Sequence, residues 1–243
     1  MFTDFSQIIF EPEQHRYFLA GRELTGVTKR LKDVVKPFDR EAVAAKVATR
    51  EGKSIHTVLW EWEQKGEKGR QLGTAVHKYI QDCLIGKGNN GQMSLDPFLS
   101  LNTKLPEQMA FDDLWRQVSP KVNVDRVHVE WIIGDADMEL AGTVDTMLFS
   151  KETGKHHIWD WKTGKFETAN QWAKLLPPFD SLDDCELNRY SLQVSLYRLI
   201  IERNTNLPLA DSYLVHLTPK GFDIYRAVDF REAIVDWLDL PPF

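Results

Sequence analysis

The stretch ELAGTVDTMLFSKETGKHHIWDWK, running from Glu139 to Lys162, carries the reading on which the fold depends. Glu139–Phe149 and His156–Lys162 are rich in apolar, β-branched and aromatic residues, and Glu152-Thr153-Gly154-Lys155 between them supplies turn formers. Two strands joined by a tight turn follow. Side chains two positions apart on a strand share a face. Asp160 and Lys162 therefore project to one side of the second strand, and Trp159 and Trp161 to the other. Antiparallel pairing would bring Asp145, within Gly142-Thr143-Val144-Asp145, close to Asp160.

Working outward, residues from Asp125 onward repeat with a period of two. Val127, Val129, Trp131 and Ile133 are expected on one face, with Arg126, His128 and Glu130 on the other. Gly134-Asp135-Ala136-Asp137 turns this strand into the next. Further upstream, Leu72, Val76, Tyr79, Ile80, Cys83 and Leu84 form an apolar stripe on a helix predicted from about Gly69 to Ile85, with His77 beside it. Gly86 to Pro106, rich in Gly, Asn, Ser and Pro, reads as a long surface loop.

The chain opens on a hairpin of Ile8–Phe10 and Tyr17–Leu19, followed by the turn Ala20-Gly21-Arg22 and another extended piece. Thr25 or Thr28 is expected to cap a first helix, Asp39 a second over Arg40–Thr49, and Ser54 a third, whose Trp60 and Trp62 cannot face one core together. Downstream of Lys162, a polar excursion through Pro177, Pro178 and Asp183 leads to a helix over Leu187–Arg203. A hairpin of Tyr213–Leu217 and Phe222–Val228 turns at Thr218-Pro219-Lys220-Gly221, and Phe230–Leu238 forms a closing helix.

The elements make an α/β fold with a central mixed sheet flanked by helices. A chain of 243 residues suits one domain, 1–243, with an N-terminal hairpin and helical elaboration over 1–68 and a core over 69–243. Composition is that of a folded globular protein, 42% hydrophobic and 27% charged. No transmembrane-length apolar run and no secretory leader is read, so the expected location is intracellular, in cytoplasm or a DNA-containing compartment. Cys83 and Cys185 suit reduced thiols and cannot ligate an iron–sulfur cluster. No GxxxxGK[ST] loop is present, which argues against ATP. A net charge of −6 excludes a general nucleic-acid coat, although Lys29–Lys53 holds eight basic against four acidic residues.

Two close carboxylates repel unless a proton or cation separates them, and hard oxygen ligands favour Mg²⁺ or Mn²⁺. Alone, an Asp-x-Lys pair on a strand is ordinarily a surface ion pair. What changes its meaning is the wider pattern: a glycine-led Asp145, then Asp160 and Lys162, then a helix with Gln193 and Tyr197 one turn apart. His77 and Tyr197 each also have a core reading, and Glu130 reads as ligand, water-shell or bystander. The acidic cluster Asp180, Asp183, Asp184 and Glu186 reads as a solvated loop before a helix start.

Four motifs, Gly73-Thr74-Ala75-Val76-His77, Ala141–Asp145, Ile158–Gly164 and Tyr190–Tyr197, together resemble the RecB-like branch of the PD-(D/E)XK nucleases, in the manner of its stand-alone viral members and the mitochondrial genome-maintenance exonuclease. The resemblance implies a restriction-endonuclease-like sheet. It implies a metal bound by Asp145, Asp160, the Trp161 carbonyl and His77, with Lys162 as the catalytic amine. Gln193 and Tyr197 would hold the site or the DNA backbone, and Glu130 would serve a second metal or the metal's water. Two positions depart from the pattern: Gln81, where relatives often carry Glu, and Val144, where the family's name puts proline.

The expected activity is a Mg²⁺- or Mn²⁺-dependent deoxyribonuclease, working as an exonuclease from single-stranded DNA ends in replication, recombination or repair, with a protein of those processes as a possible partner. A catalytically silent fold that binds DNA ends or a partner, a nuclease domain serving a helicase on another chain, and a structure-specific endonuclease are the alternatives.

Overall fold

A computed structural model describes residues 3–88 and 104–240. The loop expected over Gly86–Pro106 lies mostly outside the described residues. The chain opens on β1 (Ile8–Glu11) and β2 (Arg16–Leu19), with β3 (Arg22–Gly26) completing an antiparallel meander. Helix α1 (Val27–Arg30) follows at once and continues into a 3₁₀ turn, Leu31–Val34. Neither expected threonine caps it. Its N-cap is Gly26 and makes no side-chain bond, because Thr25 is still paired in the sheet with Leu140.

Helix α2 (Arg40–Glu51) begins at Asp39, whose carboxylate accepts the Ala42 N–H at 3.0 Å, and ends at Gly52 in the left-handed region that glycine tolerates. Helix α3 runs unbroken from Ile55 to Gly88. Ser54 caps it by accepting the Thr57 N–H. The helix expected from Gly69 thus starts fourteen residues earlier, and the 68/69 boundary falls inside it. Gly66 and Gly69 do not break it, since Arg70 pairs with Glu63 and Glu67 across this turn. Trp62 packs with α2 near Ala44 and Ala48, whereas Trp60 is exposed. The two tryptophans part as expected.

Helix α4 (Pro106–Val118) has no counterpart in the sequence reading. It buries Phe111, Leu114 and Trp115 against the stripe of α3, Val76, Ile80 and Leu84. Then come β4 (Val122–Asp135), β5 (Leu140–Ser150), β6 (His156–Lys162), α5 (Glu186–Asn204), β7 (Tyr213–Thr218), β8 (Gly221–Arg226) and α6 (Arg231–Trp237). Eight strands form one mixed sheet: β3–β5 and β6–β7 are parallel, and the other pairs are antiparallel. One face packs on α5 and α6 through Val144, Met147, Ile158, Leu196 and Ile234. The other packs on α3 and α4 through Leu148, Trp159, Trp161 and Val215.

Strand β4 departs from simple alternation. Val127 and Val129 pack on the α3/α4 side, but Trp131 and Ile133 pack on the α5 side. The four were expected on one face. Between them Glu130 has φ +47°, a left-handed conformation uncommon for a residue with a side chain, and it reverses which face the following residues meet.

The edge opposite β4 decides where the site can form. β4 lines one edge of β5, while the other edge is shared end to end: β3 pairs with Leu140 and Ala141, and β6 with Thr146–Phe149. Among the described residues, Gly142–Asp145 have no strand partner on this side. From Asp160 onward β6 keeps its pairing with β7 and leaves β5. Among the described residues no helix is long and apolar enough to cross a membrane.

Candidate active site

The divergence of β6 from β5 frees the backbone N–H of Trp161, which the Asp145 carboxylate accepts at 2.9 Å. Asp145 is thereby fixed at the opening. On β4, Glu130 lies between Val129 and Trp131, whose partners on β5 are Thr146 and Val144, so it sits opposite Asp145. His77 reaches the same place from α3. Its Nδ1 is 3.8 Å from both Glu130 Oε1 and Asp145 Oδ2, and its Nε2 is 3.0 Å from the Trp161 carbonyl oxygen. The three side chains can offer ligand atoms that all lie within 4.8 Å of one another.

Asp160 lies beside this group, held differently. It is 2% exposed. Its Oδ2 is 2.6 Å from Lys162 Nζ, and its Oδ1 is 3.4 Å from Gln193 Nε2. The Lys162 ammonium is thus the charge partner of Oδ2, in close contact with it. Burial pushes the Asp160 carboxyl up to about 6; Lys162 opposes the rise and the charge of Asp145 adds to it. For Lys162, burial works against the ammonium, but the charges of Asp160 and Asp145 outweigh it and raise its pKa. The ammonium also lies over the Tyr190 ring at 4.2 Å. Burial likewise opposes the charge on His77, yet the nearby carboxylates of Glu130 and Asp145, each 3.8 Å away, prevail and push the imidazole up to about 9.

Helix α5 roofs the opening. Gln193 and Tyr197, one turn apart, are both buried, and the Gln193 amide donates to the Tyr197 hydroxyl at 3.0 Å. Tyr197 packs so close to the sheet that a Cβ on Gly142 would meet its ring carbon at 2.6 Å. The opposite face of β6 behaves as its spacing predicts: Trp161 is buried and donates its indole N–H to Thr146 Oγ1. Seven positions singled out from the sequence, His77, Glu130, Asp145, Asp160, Lys162, Gln193 and Tyr197, therefore converge, with the Trp161 carbonyl among them. Asp183 and Asp184 stand apart, paired with Lys174 and Arg189.

The sequence reading missed two side chains. Tyr190 precedes Gln193 by three positions and Tyr197 by seven, a shared helical face that was there to be read. Tyr17 has no local signal: it reaches the site from β2, its hydroxyl 3.0 Å from Thr143 Oγ1.

The donor set of one imidazole, three carboxylates and a backbone carbonyl fits a hard or borderline divalent cation. A buried acid whose pKa is raised by burial and by the charge of a second acid is the electrostatic arrangement that such a cation relieves.

A mixed open sheet flanked by helices, with an Asp and an Asp-x-Lys gathered where two strands part, defines a restriction-endonuclease-like nuclease fold. The sequence model of the PD-(D/E)XK nuclease superfamily matches residues 29–229. The chain belongs to that superfamily, and membership implies a nuclease with DNA as substrate. No curated protein matches it. Among solved structures, the crystal structure of SSO0001 is similar at 13% identity over 67% of this chain and 68% of that one, with a TM-score of 0.29, too low to carry an argument.

Proposed function

We propose that the protein is a Mg²⁺- or Mn²⁺-dependent deoxyribonuclease of the RecB-like branch, working intracellularly as an exonuclease from single-stranded ends during replication, recombination or repair. The observation that carries this reading is the meeting of His77, Glu130 and Asp145 beside the buried Asp160–Lys162 pair. These residues, with the Trp161 carbonyl, would hold the metal. When bound, the metal would lower the pKa of water and offset charge on the phosphate.

Lys162, kept protonated by two carboxylates, serves as a fixed cation for the anionic transition state rather than as a base. Gln193 and Tyr197 hold Asp160 in place from the roof. Substrate attraction is local. Of the eight basic residues between Lys29 and Lys53, Arg30, Arg40, Arg50 and Lys53 are in ion pairs, while the exposed Lys29, Lys32, Lys36 and Lys46 have none among the described residues. These four are available to backbone phosphates.

The test compares linear single-stranded DNA with a covalently closed circle of the same sequence, in Mg²⁺, in Mn²⁺ and in EDTA. Loss of the linear strand alone, stopped by EDTA and by Asp160→Ala or Lys162→Ala, is expected. Equal rates on line and circle would make the protein an endonuclease, and cleavage surviving both substitutions would remove these residues from the mechanism.

A further inference from the structure

We infer that the tip of the N-terminal hairpin is a nucleobase subsite, in which an unpaired base next to the scissile phosphate stacks on His15 and Phe10. The inference rests on the nuclease reading and adds to it a part of the chain outside its motifs.

A cleft of about 490 Å³ extends from the candidate active site to the hairpin. It is lined by Glu130, Asp145, Gln193 and Tyr197 of the site and by Phe10, Pro12, His15 and Tyr17 of the hairpin, with Tyr17 joining the two through Thr143. The volume lies in the range of small-molecule sites and suits a nucleotide or two rather than a duplex. Among the described residues no lysine or arginine lines it. The hairpin end therefore has nothing to neutralise a phosphate and must receive the uncharged part of the substrate.

That end is aromatic. Phe10 and Tyr17 stack at 4.8 Å, and His15 stands edge-on to both, at 5.1 Å and 5.6 Å. Tyr17 is buried, Phe10 half-buried and His15 exposed, so the accessible ring surface belongs to His15 and Phe10. His15 ends the turn Pro12–His15 with φ +50°, a left-handed conformation that histidine adopts more readily than most residues with a side chain. The spacing to the chemistry is fixed: Tyr17 bonds Thr143, two residues before Asp145, and β2 is paired on both sides. Aromatic side chains bind unpaired bases of any sequence through their π-faces.

The test uses a single-stranded oligonucleotide and a second one with abasic residues at its two terminal positions on both ends. The wild type should show kcat/KM about tenfold lower on the abasic strand. His15→Ala should lose about the same factor on normal DNA, through KM rather than kcat, with no further loss on the abasic strand. His15→Phe, which keeps a ring, should recover most of that loss. Because His15 is exposed, the melting temperature of each variant should stay near that of the wild type. Equal wild-type rates on the two strands, or losses from His15→Ala and from the abasic ends that multiply, would overturn the subsite and leave the nuclease reading intact. Absence of cleavage of either strand by the wild type would overturn the nuclease reading and the subsite with it.

Discussion

The two faces of β6 carry residues drawn from seven consecutive positions and meet opposite requirements. Trp159 and Trp161 enter a closed aromatic layer with Phe111, and the polar atom of Trp161 is satisfied by Thr146. Asp160 and Lys162, one residue away on the other side, place an ion pair where the acid is buried and the ammonium partly so, and leave the carboxyl pushed up to about 6. One face is optimised for packing. The other holds charge that the fold alone does not settle, which is where natural proteins depart from stability in favour of chemistry.

The contrast is open to direct attack. Asp160→Asn should reduce cleavage by about 10³-fold or more while the protein melts cooperatively near the wild-type temperature, because it removes charge without changing shape. Calorimetry alongside the cleavage assay checks this, and collapse of the fold would mean that Asp160 is structural. Trp161→Ala should do the reverse in kind, lowering stability by about 3–5 kcal/mol in urea denaturation. Unchanged stability would show that the aromatic layer contributes little.

Gly142→Ala tests the seam between faces. The new methyl would press on the Tyr197 ring, costing about 1–3 kcal/mol of stability. It would also lower the cleavage rate about tenfold by displacing Tyr197 and its partner Gln193. A fully active variant would separate the roof from catalysis.

The mildest effect is one of pH. With the His77 imidazole pushed up to about 9, metal must displace a proton at neutrality. The half-saturating metal concentration should fall about tenfold between pH 7 and 8 and level off near 9. His77→Ala should flatten that slope. In EDTA the same proton favours the folded state: its contribution is complete below the unfolded imidazole's pKa of about 6.5 and is lost as the pH rises through about 9. Thermal melts from pH 6 to 10 should register that loss in the wild type and not in His77→Ala.

How much was legible follows from which features are local. β6 is read to the residue, His156–Lys162, because a turn and a period of two bound it on both sides. Asp160 and Lys162 share a face for the same reason. Helix α4 has helical spacing in Phe111, Leu114 and Trp115, but it starts on Pro106 directly after a Gly-, Asn- and Pro-rich stretch and its N-cap, Leu105, is no capping residue type, so its start carries no local signal. The face reversal in β4 had no sequence signal at all, since Glu130 is neither glycine nor asparagine and takes φ +47° only in its tertiary setting. Tyr17 meets Thr143 across 126 positions, a contact that no window along the chain contains.

The shared edge of β5 has a meaning for solubility. A row of unpaired backbone groups is a template on which another molecule's strand can dock and seed aggregation. A fold opened by parting two strands leaves such a row without strand partners, here overlaid by Tyr197 at Gly142 and Tyr17 at Thr143. Here it is four residues long, Gly142–Asp145, closed at one end by β3 and at the other by β6, and Asp145 turns its carboxylate back onto the Trp161 N–H. A stretch that short gives an intruding strand too few residues to gain a register.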